Sequence, residues 1–427
     1  MPLYIDMANF SYRTPSKGLK IVWICHFMNT NVKEWLGIRE DVKELAPWVT
    51  LGIKEFHKRR DIELHVIAPM YSILKHTNID QDNIHYHFIK LGIPFSRRRW
   101  PRWLDMDYLT RFLPFNRQVI KLVNEIKPDL VNLIGAENAY YSSSVLKIKN
   151  YPVLVTIQGF ISLNNEVRTG DPKMVMRRIA VEKEICQKIK HYAIEDTSTE
   201  KQIKSLNHSA VVHWFHLPFA KTVIDEIPIK KYDLAFFARI TRMKGIEDLI
   251  TAVSKLSMTK PDISLIIIGH GDADYIRSLQ EKIINLGLVK NIEFKGFIPS
   301  QRDMHLEVMK ARIVVLPTYN DTIPGTIVES MLLGLPVISY RTGGIPDLNK
   351  ENRNIILVEQ GNIDGLVQEL IILLNNPEMQ IKMGETAKAF ASEEFDNARS
   401  AEILKEIYKD VIRAFKEDKI SNNTLLS

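Results

Sequence analysis

Short runs of aliphatic and β-branched residues alternate with longer amphipathic stretches from Lys20 onward, and this alternation constrains the fold more than any other feature of the sequence. The short runs are bounded by turn-forming residues, which is typical of buried strands, and the longer stretches are typical of helices. A chain in which the two alternate folds as a parallel sheet covered by helices. The sequence therefore predicts an α/β protein.

The alternation occurs twice, which predicts two sheets rather than one. A length of 427 residues also exceeds what one ordinary core accommodates. In the first half we expect strands near Leu19 to Phe27, Ile62 to Pro69, Ile84 to Ile89, Leu130 to Gly135, Pro152 to Gln158, His191 to Glu195 and Ala210 to His213. In the second half we expect strands near Tyr232 to Ala238, Ile263 to Gly269, Asn291 to Phe297, Arg312 to Pro317, Pro336 to Tyr340 and Asn354 to Val358.

Two Rossmann-like, doubly wound domains that face each other across a cleft account for this pattern. We expect an N-terminal domain at residues 1–220, a C-terminal domain at 221–395 and a final segment at 396–427 that contains a helix, Ala398 to Lys416. The stretch Leu217 to Lys231 is rich in proline and lysine and is predicted to join the domains. Ligands of such sheets bind outside the carboxyl ends of the strands, so the functional residues are expected in the cleft.

The composition, with 45% apolar and 25% charged residues, is that of a folded water-soluble protein. Apolar runs such as Ile263 to Ile268 and Leu366 to Leu374 are shorter than the roughly 20 residues that cross a membrane. Met1 to Ser16 lacks the features of a secretory signal, and Cys25 and Cys186 are expected to be reduced thiols. We expect a cytoplasmic protein, either free or peripheral at the inner face of the membrane.

The formal net charge of +6 favours an anionic partner. A phosphate-bearing small molecule, a nucleic acid or an acidic lipid surface meets that condition, but no basic recognition helix is apparent, so we expect no nucleic-acid partner. Basic and aromatic residues are concentrated in one stretch, here called the Arg/Trp segment, which contains Phe95, Arg97, Arg98, Arg99, Trp100, Pro101, Arg102 and Trp103. It is predicted either to associate with a membrane surface or to be a solvated loop whose tryptophans pack onto the domain.

Two cations follow the first predicted strand of the second half, where the sequence reads FARITRMKG. A departing pyrophosphate needs fixed positive charge, because no metal site with good ligand spacing is evident and negative charge develops as the bond breaks. Arg239 can bind phosphate oxygens in pairs, and Lys244 supplies a second, compact charge. The alternative is that both residues are ordinary surface cations.

The next predicted strand ends in the sequence LIIIGHGD, from Leu265 to Asp272. Glycines such as Gly269 and Gly271 allow a ligand to approach the backbone closely. The third glycine of the dinucleotide fingerprint is replaced by Asp274, so this segment alone indicates no particular ligand.

A short helix is predicted between the strands that follow, and its start is expected to bind an anion. The first-turn amides of Gly325, Thr326 and Ile327, reinforced by the helix dipole, suit a diphosphate. Glu329 lies one turn further on and can accept hydrogen bonds from a ribose diol, while Asp321 in the preceding loop can accept them from sugar hydroxyls. The alternative is that Asp321 caps the helix and Glu329 is a surface acid.

Together these segments resemble glycosyltransferase family 4, whose members are retaining enzymes of the GT-B fold. The likeness is specific across residues 232–360 and loose across residues 20–220. It implies an acceptor-binding N-terminal domain, a C-terminal domain that binds a nucleotide-sugar donor, and a final helix that returns to the N-terminal domain.

The resemblance also implies roles for individual residues. Arg239 and Lys244 would bind the donor diphosphate, Asp321 the donor sugar and Glu329 the nucleotide ribose. Backbone near residues 297–298, Phe297 and Ile298, would meet the nucleotide base.

The chain departs from the family pattern at three places. The first acid of the pair is usually glutamate, and Asp321 is one methylene shorter. Residues 26–31 stand where many members have a glycine pair, and Gln158 stands where a histidine often ends the strand. A glutamine donates hydrogen bonds but cannot act as an acid or base at neutral pH.

Three polar residues end first-half strands and are candidates for acceptor or sugar contacts: His26, Glu137 and Gln158. For His26 and Gln158 the alternative is a satisfied polar group at a domain edge. For Glu137 the alternative is a cap on a helix that begins near Ala139.

We therefore expect a retaining hexosyltransferase-type enzyme that moves a sugar from a UDP- or GDP-sugar to a glycan or lipid-linked acceptor, in the biosynthesis of bacterial surface polysaccharide. No metal and no cofactor beyond the nucleotide sugar are expected. The alternatives are a non-catalytic nucleotide-sugar binding protein and another enzyme of GT-B shape, such as a sugar-nucleotide epimerase or a phosphorylase.

Overall fold

The structure is a computed structural model that describes residues 18–39, 45–162, 171–222, 224, 228–349 and 353–424. For residues 102 and 422–424 it describes the backbone alone. The expectation about a signal at Met1 to Ser16 lies outside the described residues, as does part of the predicted joining stretch.

The first half of the chain forms a sheet of eight strands among the described residues. Their order in the sheet is β3-β4-β2-β1-β5-β6-β7-β8, and every pairing is parallel except β3 with β4. The strands are β1 (Leu19–Ile24), β2 (Ile62–Met70), β3 (Thr77–Gln81), β4 (Ile84–Lys90), β5 (Leu130–Ile134), β6 (Val153–Thr156), β7 (His191–Ile194) and β8 (Val211–Trp214).

The second half forms a separate sheet of six parallel strands in the order β11-β10-β9-β12-β13-β14. This is the order of the doubly wound nucleotide-binding fold. The strands are β9 (Tyr232–Phe237), β10 (Leu265–Ile268), β11 (Ile292–Gly296), β12 (Ala311–Leu316), β13 (Val337–Tyr340) and β14 (Ile356–Val358).

The predicted α/β fold with two Rossmann-like sheets is confirmed, and all thirteen predicted strands are present. The sequence missed β3, a polar edge strand that pairs antiparallel with β4 through a turn in which Asp82 has φ 53°. Four of its five residues are exposed or only partly buried polar groups, so it lacks the apolar run that identifies the others.

Helices pack on the sheets, and most of them bury apolar residues there. Those that follow first-sheet strands are α1 (Thr30–Leu36), α2 (Pro47–His57), α3 (Met106–Leu109), α4 (Leu113–Ile126), α5 (Ala139–Ser142), α6 (Pro172–Lys188) and α7 (Thr197–Leu206). Those of the second half are α8 (Ile246–Ser257), α9 (Ala273–Asn285), α10 (Gln301–Val308), α11 (Gly325–Leu332), α12 (Ile363–Leu374), α13 (Pro377–Glu394) and α14 (Asn397–Thr424).

The last helix, α14, leaves the second half of the chain and packs against the first sheet. Leu404 and Val411 are buried in the core that contains β1 and β2. The hydroxyl of Tyr408 is fully buried there, where it accepts hydrogen bonds from Trp23 Nε1 at 2.8 Å and Asn132 Nδ2 at 3.1 Å. A chain segment that follows the second sheet therefore stabilises the first.

The two halves also meet near the cleft. The carboxylate of Asp347, which follows β13, accepts hydrogen bonds from the backbone N–H and the hydroxyl of Thr197 at 2.6 and 2.8 Å. Thr197 is the first residue of α7, so a negative charge lies at the positive end of that helix. A Cβ on Gly344 would lie 2.4 Å from Asp196 Cβ, so glycine permits this close approach.

Each sheet has one switch point, which is the place where successive strands run outward in opposite directions. In the first sheet it lies between β1 and β5, and in the second between β9 and β12. Ligands of open α/β sheets bind at such points, beyond the carboxyl ends of the strands. None of the described helices is long and apolar enough to span a membrane.

Candidate active site

The loops that follow β9 and β12 lie side by side at the switch point of the second sheet. The backbone N–H of Tyr319 donates to the carbonyl of Met243 at 2.7 Å, and the Thr318 hydroxyl donates to the same carbonyl at 3.1 Å. Gly245 has φ 71°, and a Cβ there would lie 1.9 Å from the Pro317 carbonyl oxygen. Only glycine therefore lets the two loops touch.

Two of the predicted site residues, Lys244 and Asp321, are brought together by these loops. Lys244 Nζ lies 2.8 and 2.6 Å from the two carboxylate oxygens of Asp321, and Thr318 donates to Asp321 Oδ2 at 2.8 Å. The side chains are 15% and 20% exposed, so the pair is largely shielded from water. Lys244 is thus a held charge rather than a mobile surface cation.

The alternative role of Asp321 as a helix cap is wrong. Helix α11 has Pro324 at its N-cap position and no side-chain cap. The loop of Asp321 is instead supported by the glycine pair that follows β13. A Cβ on Gly343 would lie 1.6 Å from the Asp321 carbonyl oxygen, and the N–H of Gly344 donates to the Thr322 carbonyl at 2.9 Å.

Arg239 lies on the loop just after β9 and its side chain is exposed. It makes no hydrogen bond or ion pair with any residue that the structure describes. The start of α11 is hydrogen-bonded to the end of β9, because Thr326 Oγ1 donates to the Phe237 carbonyl at 2.8 Å. The predicted cation and the predicted helix terminus therefore meet at one strand end.

The predicted anion site at the start of α11 is smaller than expected. The N–H of Ile327 already donates to the Pro324 carbonyl at 3.0 Å, so Ile327 does not offer an amide to a ligand. The amides of Gly325 and Thr326 remain, and both residues are partly exposed. A Cβ on Gly325 would meet Phe219 at an ordinary 3.5 Å, so this glycine is not sterically required.

Glu329 contacts two residues of α10. The alternative that Glu329 is a surface acid is therefore wrong. Its side chain is 20% exposed. Gln301 Nε2 donates to its Oε1 at 3.2 Å, and His305 Nε2 lies 3.4 Å from its Oε2. His305 is buried and also contacts the hydroxyl of Thr222 at 2.9 Å. Sequence reasoning missed both α10 residues, which belong to no motif.

Gly269 and Gly271 allow the ends of neighbouring strands to pack closely. A Cβ on Gly269 would lie 1.9 Å from the Ala238 carbonyl oxygen, and one on Gly271 would lie 2.3 Å from that of Ile240. Both glycines thus support the loop that carries Arg239. The approach of a ligand to this glycine turn stays a prediction.

Phe297 and Ile298 follow β11 at the same edge of the sheet. Phe297 is 62% exposed, and its ring meets the imidazole of His270 edge to face, with centroids 5.2 Å apart. Ile298 is partly buried against the core. An exposed aromatic ring beside an imidazole provides a surface on which a planar group can pack.

The switch point of the first sheet carries His26 and Glu137. His26 Nδ1 lies 2.5 Å from the hydroxyl of Tyr140, and burial, together with the nearby charge of Arg99, lowers the pKa of His26 to about 4. His26 is therefore neutral at pH 7, and its Nδ1 shares a hydrogen bond with the Tyr140 hydroxyl. Gln158 is partly buried after β6, the strand next to β5.

Glu137 carries an unsatisfied carboxylate. Its Oε2 is buried with no hydrogen-bond partner among the described residues. Burial, together with the charge of the neighbouring Glu182, raises the pKa of Glu137 to about 7. The alternative role as a helix cap is wrong, because α5 begins after Asn138 without a side-chain cap.

A cavity of about 660 Å³ opens beside these residues. Two cations, Arg99 and Arg178, and several aromatic rings line it. The aromatic lining residues are Tyr71, Trp100, Tyr108, Phe112 and Tyr140. Sequence reasoning found Arg99 and Trp100 as part of a surface segment and missed Arg178 and the tyrosines.

Residues 221–390 match the family described as glycosyl transferases group 1. An uncharacterized glycosyltransferase from Haemophilus influenzae is 29% identical over 307 residues, which are 70% of this chain and 80% of that protein. Seven further curated relatives match across less than half of their own length.

Two solved structures share the fold over nearly the whole chain. Sucrose-phosphate synthase from Thermosynechococcus elongatus has a TM-score of 0.68 at 16% identity, with 93% of this chain and 100% of that chain covered. Anabaena HepE in complex with UDP and glucose has a TM-score of 0.63 at 16% identity, with 91% and 98% covered. The matches support a glycosyltransferase of the GT-B fold.

The Arg/Trp segment has its two tryptophans in different environments. Trp103 is 81% exposed and Phe95 is 84% exposed, whereas Trp100 is partly buried and lines the cavity. The Arg99 guanidinium lies over the ring of Tyr71, 4.4 Å from its centroid. One tryptophan therefore packs onto the domain while the other faces solvent.

Some residues support the site without belonging to any predicted motif. The hydroxyls of Tyr319 and Tyr340 both donate to Asp248 Oδ2, at 2.6 and 2.7 Å. These bonds join the loop after β12 to α8. Within the described residues, the group of side chains that could hold a metal ion lies outside this site, on the first sheet.

Proposed function

We propose that the protein is a retaining glycosyltransferase that moves a hexose or N-acetylhexosamine from a UDP- or GDP-sugar to a glycan or lipid-linked acceptor, in surface polysaccharide biosynthesis. The observation that carries the proposal is the held Lys244–Asp321 pair beside the start of α11. Positive charge and two backbone amides there face the switch point of the second sheet, where a nucleotide would bind.

In the proposed reaction the departing diphosphate is stabilised by Arg239, Lys244 and the amides of Gly325 and Thr326. Arg239 has no competing partner among the described residues, so it can bind phosphate oxygens in pairs. Lys244 must turn from Asp321 toward the phosphate. Fixed charges that meet a developing anion lower the barrier without reorganisation, and no metal ion is proposed for this step.

The release of Lys244 gives Asp321 its proposed second role. Once the ammonium turns to the phosphate, both carboxylate oxygens can accept hydrogen bonds from hydroxyls of the donor sugar. Thr318 keeps one oxygen oriented through its bond to Oδ2 at 2.8 Å. The short side chain of Asp321 thus acts as a resting partner for the lysine and as a sugar ligand.

The nucleotide is proposed to lie along α11 and the end of β11. Glu329, oriented by Gln301 and His305, accepts hydrogen bonds from the ribose diol. Phe297 and the backbone of Ile298 meet the base, and the exposed ring offers a stacking surface. The complex of Anabaena HepE with UDP and glucose supports a nucleoside diphosphate sugar as the donor class.

The acceptor is proposed to enter the cavity of the first half. Arg99 and Arg178 favour an acceptor that carries an anionic group, and the aromatic rings suit a sugar or isoprenoid face. A lipid-linked acceptor would place its tail near the exposed Phe95 and Trp103, at the membrane surface. Peripheral attachment at the inner face of the membrane belongs to this proposal.

Retention of configuration follows if the acceptor attacks on the face from which the diphosphate leaves. The transition state is oxocarbenium-like, and a phosphate oxygen takes the acceptor proton. His26 and Gln158 are proposed to position the acceptor hydroxyl by hydrogen bonds. Glu137, whose pKa is raised to about 7 by burial, is a neutral or charged partner depending on pH.

The first experiment is thermal unfolding of the purified protein with a panel of nucleoside diphosphate sugars, because a ligand that binds the folded state raises its stability. The stabilising donor is then incubated with anionic and neutral acceptors while free nucleoside diphosphate is measured. Release of the diphosphate together with a new α- or β-linkage that matches the donor supports the proposal. Stabilisation without release on any acceptor would favour a binding protein, and a change in the sugar itself would favour an epimerase.

A further inference from the structure

Four side chains converge on one face of the first sheet, at the opposite end of the strands from the proposed active site. Glu63 and His65 alternate on β2, and His85 and His87 alternate on β4; we call them the histidine cluster. The strand register pairs His65 directly with His85. The ring of His65 stacks on those of His85 and His87, with centroids 4.6 and 5.3 Å apart.

Hydrogen bonds from β3 fix where the protons of this cluster lie. The Asn78 side-chain oxygen lies 3.1 Å from His87 Nδ1 and can only accept, so His87 carries its proton on Nδ1. His87 Nε2 then accepts from His65 Nδ1 at 3.0 Å. In neutral His65 the remaining nitrogen, Nε2, therefore bears a lone pair.

That lone pair faces a carboxylate. His65 Nε2 lies 2.9 Å from Glu63 Oε1, so two acceptors meet with no proton between them unless His65 is charged. A cation of another kind satisfies both atoms.

His85 supplies a second nitrogen of the same type. Its Nδ1 lies 2.7 Å from Asp80 Oδ1, which leaves Nε2 unprotonated in the neutral ring. One ligand atom from each of Glu63, His65 and His85 lies within 4.8 Å of the other two. Histidines that donate their far nitrogen to a carboxylate or carbonyl oxygen are the usual ligands of protein-bound zinc.

We propose that Glu63, His65 and His85 form a binding site for a divalent transition-metal ion of the Zn²⁺ class. Two imidazole nitrogens and a carboxylate oxygen are ligands that Zn²⁺ accepts, and water can complete the coordination because Glu63 is 41% exposed. The ion would link β2 to β4 near the polar edge of the sheet. Its function would be structural, because it lies away from the switch points.

Lys20 on β1 opposes this site and so provides a test. Its Nζ lies 3.0 Å from Glu63 Oε1. The contacts of Glu63 with Lys20 and His65 both use Oε1. Removal of the ammonium charge should strengthen metal binding, whereas it should not affect a cluster that serves packing alone.

A second histidine pair in the same sheet serves as a matched control. His191 on β7 and His213 on β8 stack with centroids 5.5 Å apart, and His191 Nδ1 lies 3.2 Å from His213 Nε2. Neither ring is hydrogen-bonded to a carboxylate among the described residues. This pair has the rings of the histidine cluster without its acid ligand.

The experiment uses the full chain without an affinity tag, stripped of metal by a chelator that is then removed. Zn²⁺ is titrated calorimetrically, and thermal unfolding is followed with and without Zn²⁺. We expect one equivalent to bind and to raise the unfolding temperature. His85→Gln should weaken binding by about tenfold or more, His213→Gln should leave it unchanged, and Lys20→Met should strengthen it.

Absence of Zn²⁺ binding by the wild-type chain would overturn the proposal. So would equal affinities for the wild type, His85→Gln and His213→Gln. Unfolding of the variants in chelator shows whether each is folded, and Co²⁺ gives an independent readout through the visible absorption of a tetrahedral site. Because Lys20→Met is expected to act in the opposite direction to His85→Gln, a general loss of folding cannot produce the predicted pattern.

Discussion

The two switch points use charge in opposite ways. At the second sheet Lys244 and Asp321 form an ion pair in which Lys244 contacts both carboxylate oxygens, while Arg239 is free of partners among the described residues. At the first sheet the deepest groups favour their neutral forms, because burial lowers the pKa of His26 to about 4 and raises that of Glu137 to about 7. One half is thus suited to a charged diphosphate and the other to uncharged hydroxyls, with cations at the cavity wall.

This difference explains why one half is easier to interpret from sequence than the other. A site of fixed charges needs particular residue types at fixed places in a loop, and glycines where loops touch. A site of neutral polar groups can be built from many residues, because hydroxyl, amide and imidazole groups all exchange hydrogen bonds with a sugar. The difference between the two switch points can be tested by substitutions at each of them.

The largest effect is expected from loss of the fixed charge at the second switch point. Lys244→Ala or Arg239→Ala should lower transfer by about a hundredfold or more, because a developing anion loses its counter-charge. Steady-state rates with saturating acceptor measure this. Arg242→Ala is the control, since that side chain lies in the same turn but is 78% exposed and faces Glu247. If all three variants retain near-normal rates, the diphosphate assignment is wrong.

The second-largest effect is expected on donor binding when Glu329 is substituted. Glu329→Gln removes the negative acceptor while it keeps the shape, and we expect donor affinity to fall by about tenfold with little change in maximal rate. Titration calorimetry with the donor checks this. Glu307→Gln is matched to it, because Glu307 is also 20% exposed and lies on the adjacent α10, where it pairs with Lys310. An unchanged donor affinity in Glu329→Gln would contradict the ribose role.

At the first switch point, the neutral form of Glu137 should be detectable in the pH dependence of folding stability. The folded state raises the pKa of Glu137 from 4.5 to about 7, so the stability that this group contributes is present at low pH and is lost as the pH rises from about 4.5 to 7. Glu137→Gln stays neutral. Relative to wild type it should gain on the order of 2 kcal/mol between pH 5 and pH 8, because the buried carboxylate of the wild type ionises over that range.

Urea unfolding of both proteins at pH 5 and pH 8 measures that difference. The similarly raised pKa of Glu195, also about 7, is present in both proteins and cancels. A difference between the two proteins that does not depend on pH would mean that Glu137 is ionised throughout or lies in a more solvated environment than the structure indicates.

The smallest effect is expected at the cavity wall. Arg99→Gln should raise the KM for an anionic acceptor by about threefold and leave the KM for the donor unchanged, because a partly solvated cation contributes less than about 1 kcal/mol. Arg98→Gln is the neighbouring control, as Arg98 is exposed and does not line the cavity. Equal effects of both changes would point to general surface charge rather than to an acceptor site.

Most of the fold could be predicted because buried strands and helices need apolar residues at regular positions in the sequence. Strand β9 reads YDLAFF and every residue of it is buried, so its apolar run is visible without any partner. Strand β3 reads TNIDQ and lies at a sheet edge, so nothing in its own composition identifies it. The site was predictable where backbone constraints select residue types, as at Gly245 and Gly343.

Other parts of the site depend on contacts between residues that are distant in sequence. Gln301 and His305 orient Glu329 from another helix, and no local pattern marks them. The same holds for the histidine cluster. The Glu-x-His of β2 and the His-x-His of β4 are two ordinary strand sequences until the parallel register sets His65 beside His85. Spacing along the chain therefore gave no indication of a metal site.

The sequence by itself determined the α/β architecture, the presence of two sheets and the candidates for a diphosphate site, because hydrophobic periodicity and loop glycines are local properties. Only the tertiary structure decided that Lys244 contacts Asp321, that the amide of Ile327 is already used, and that Glu137 Oε2 lacks a hydrogen-bond partner within the described part of the chain. Those facts depend on which loops meet at a sheet edge. Hydrogen bonding and burial there are set by distant neighbours, and a linear pattern does not record them.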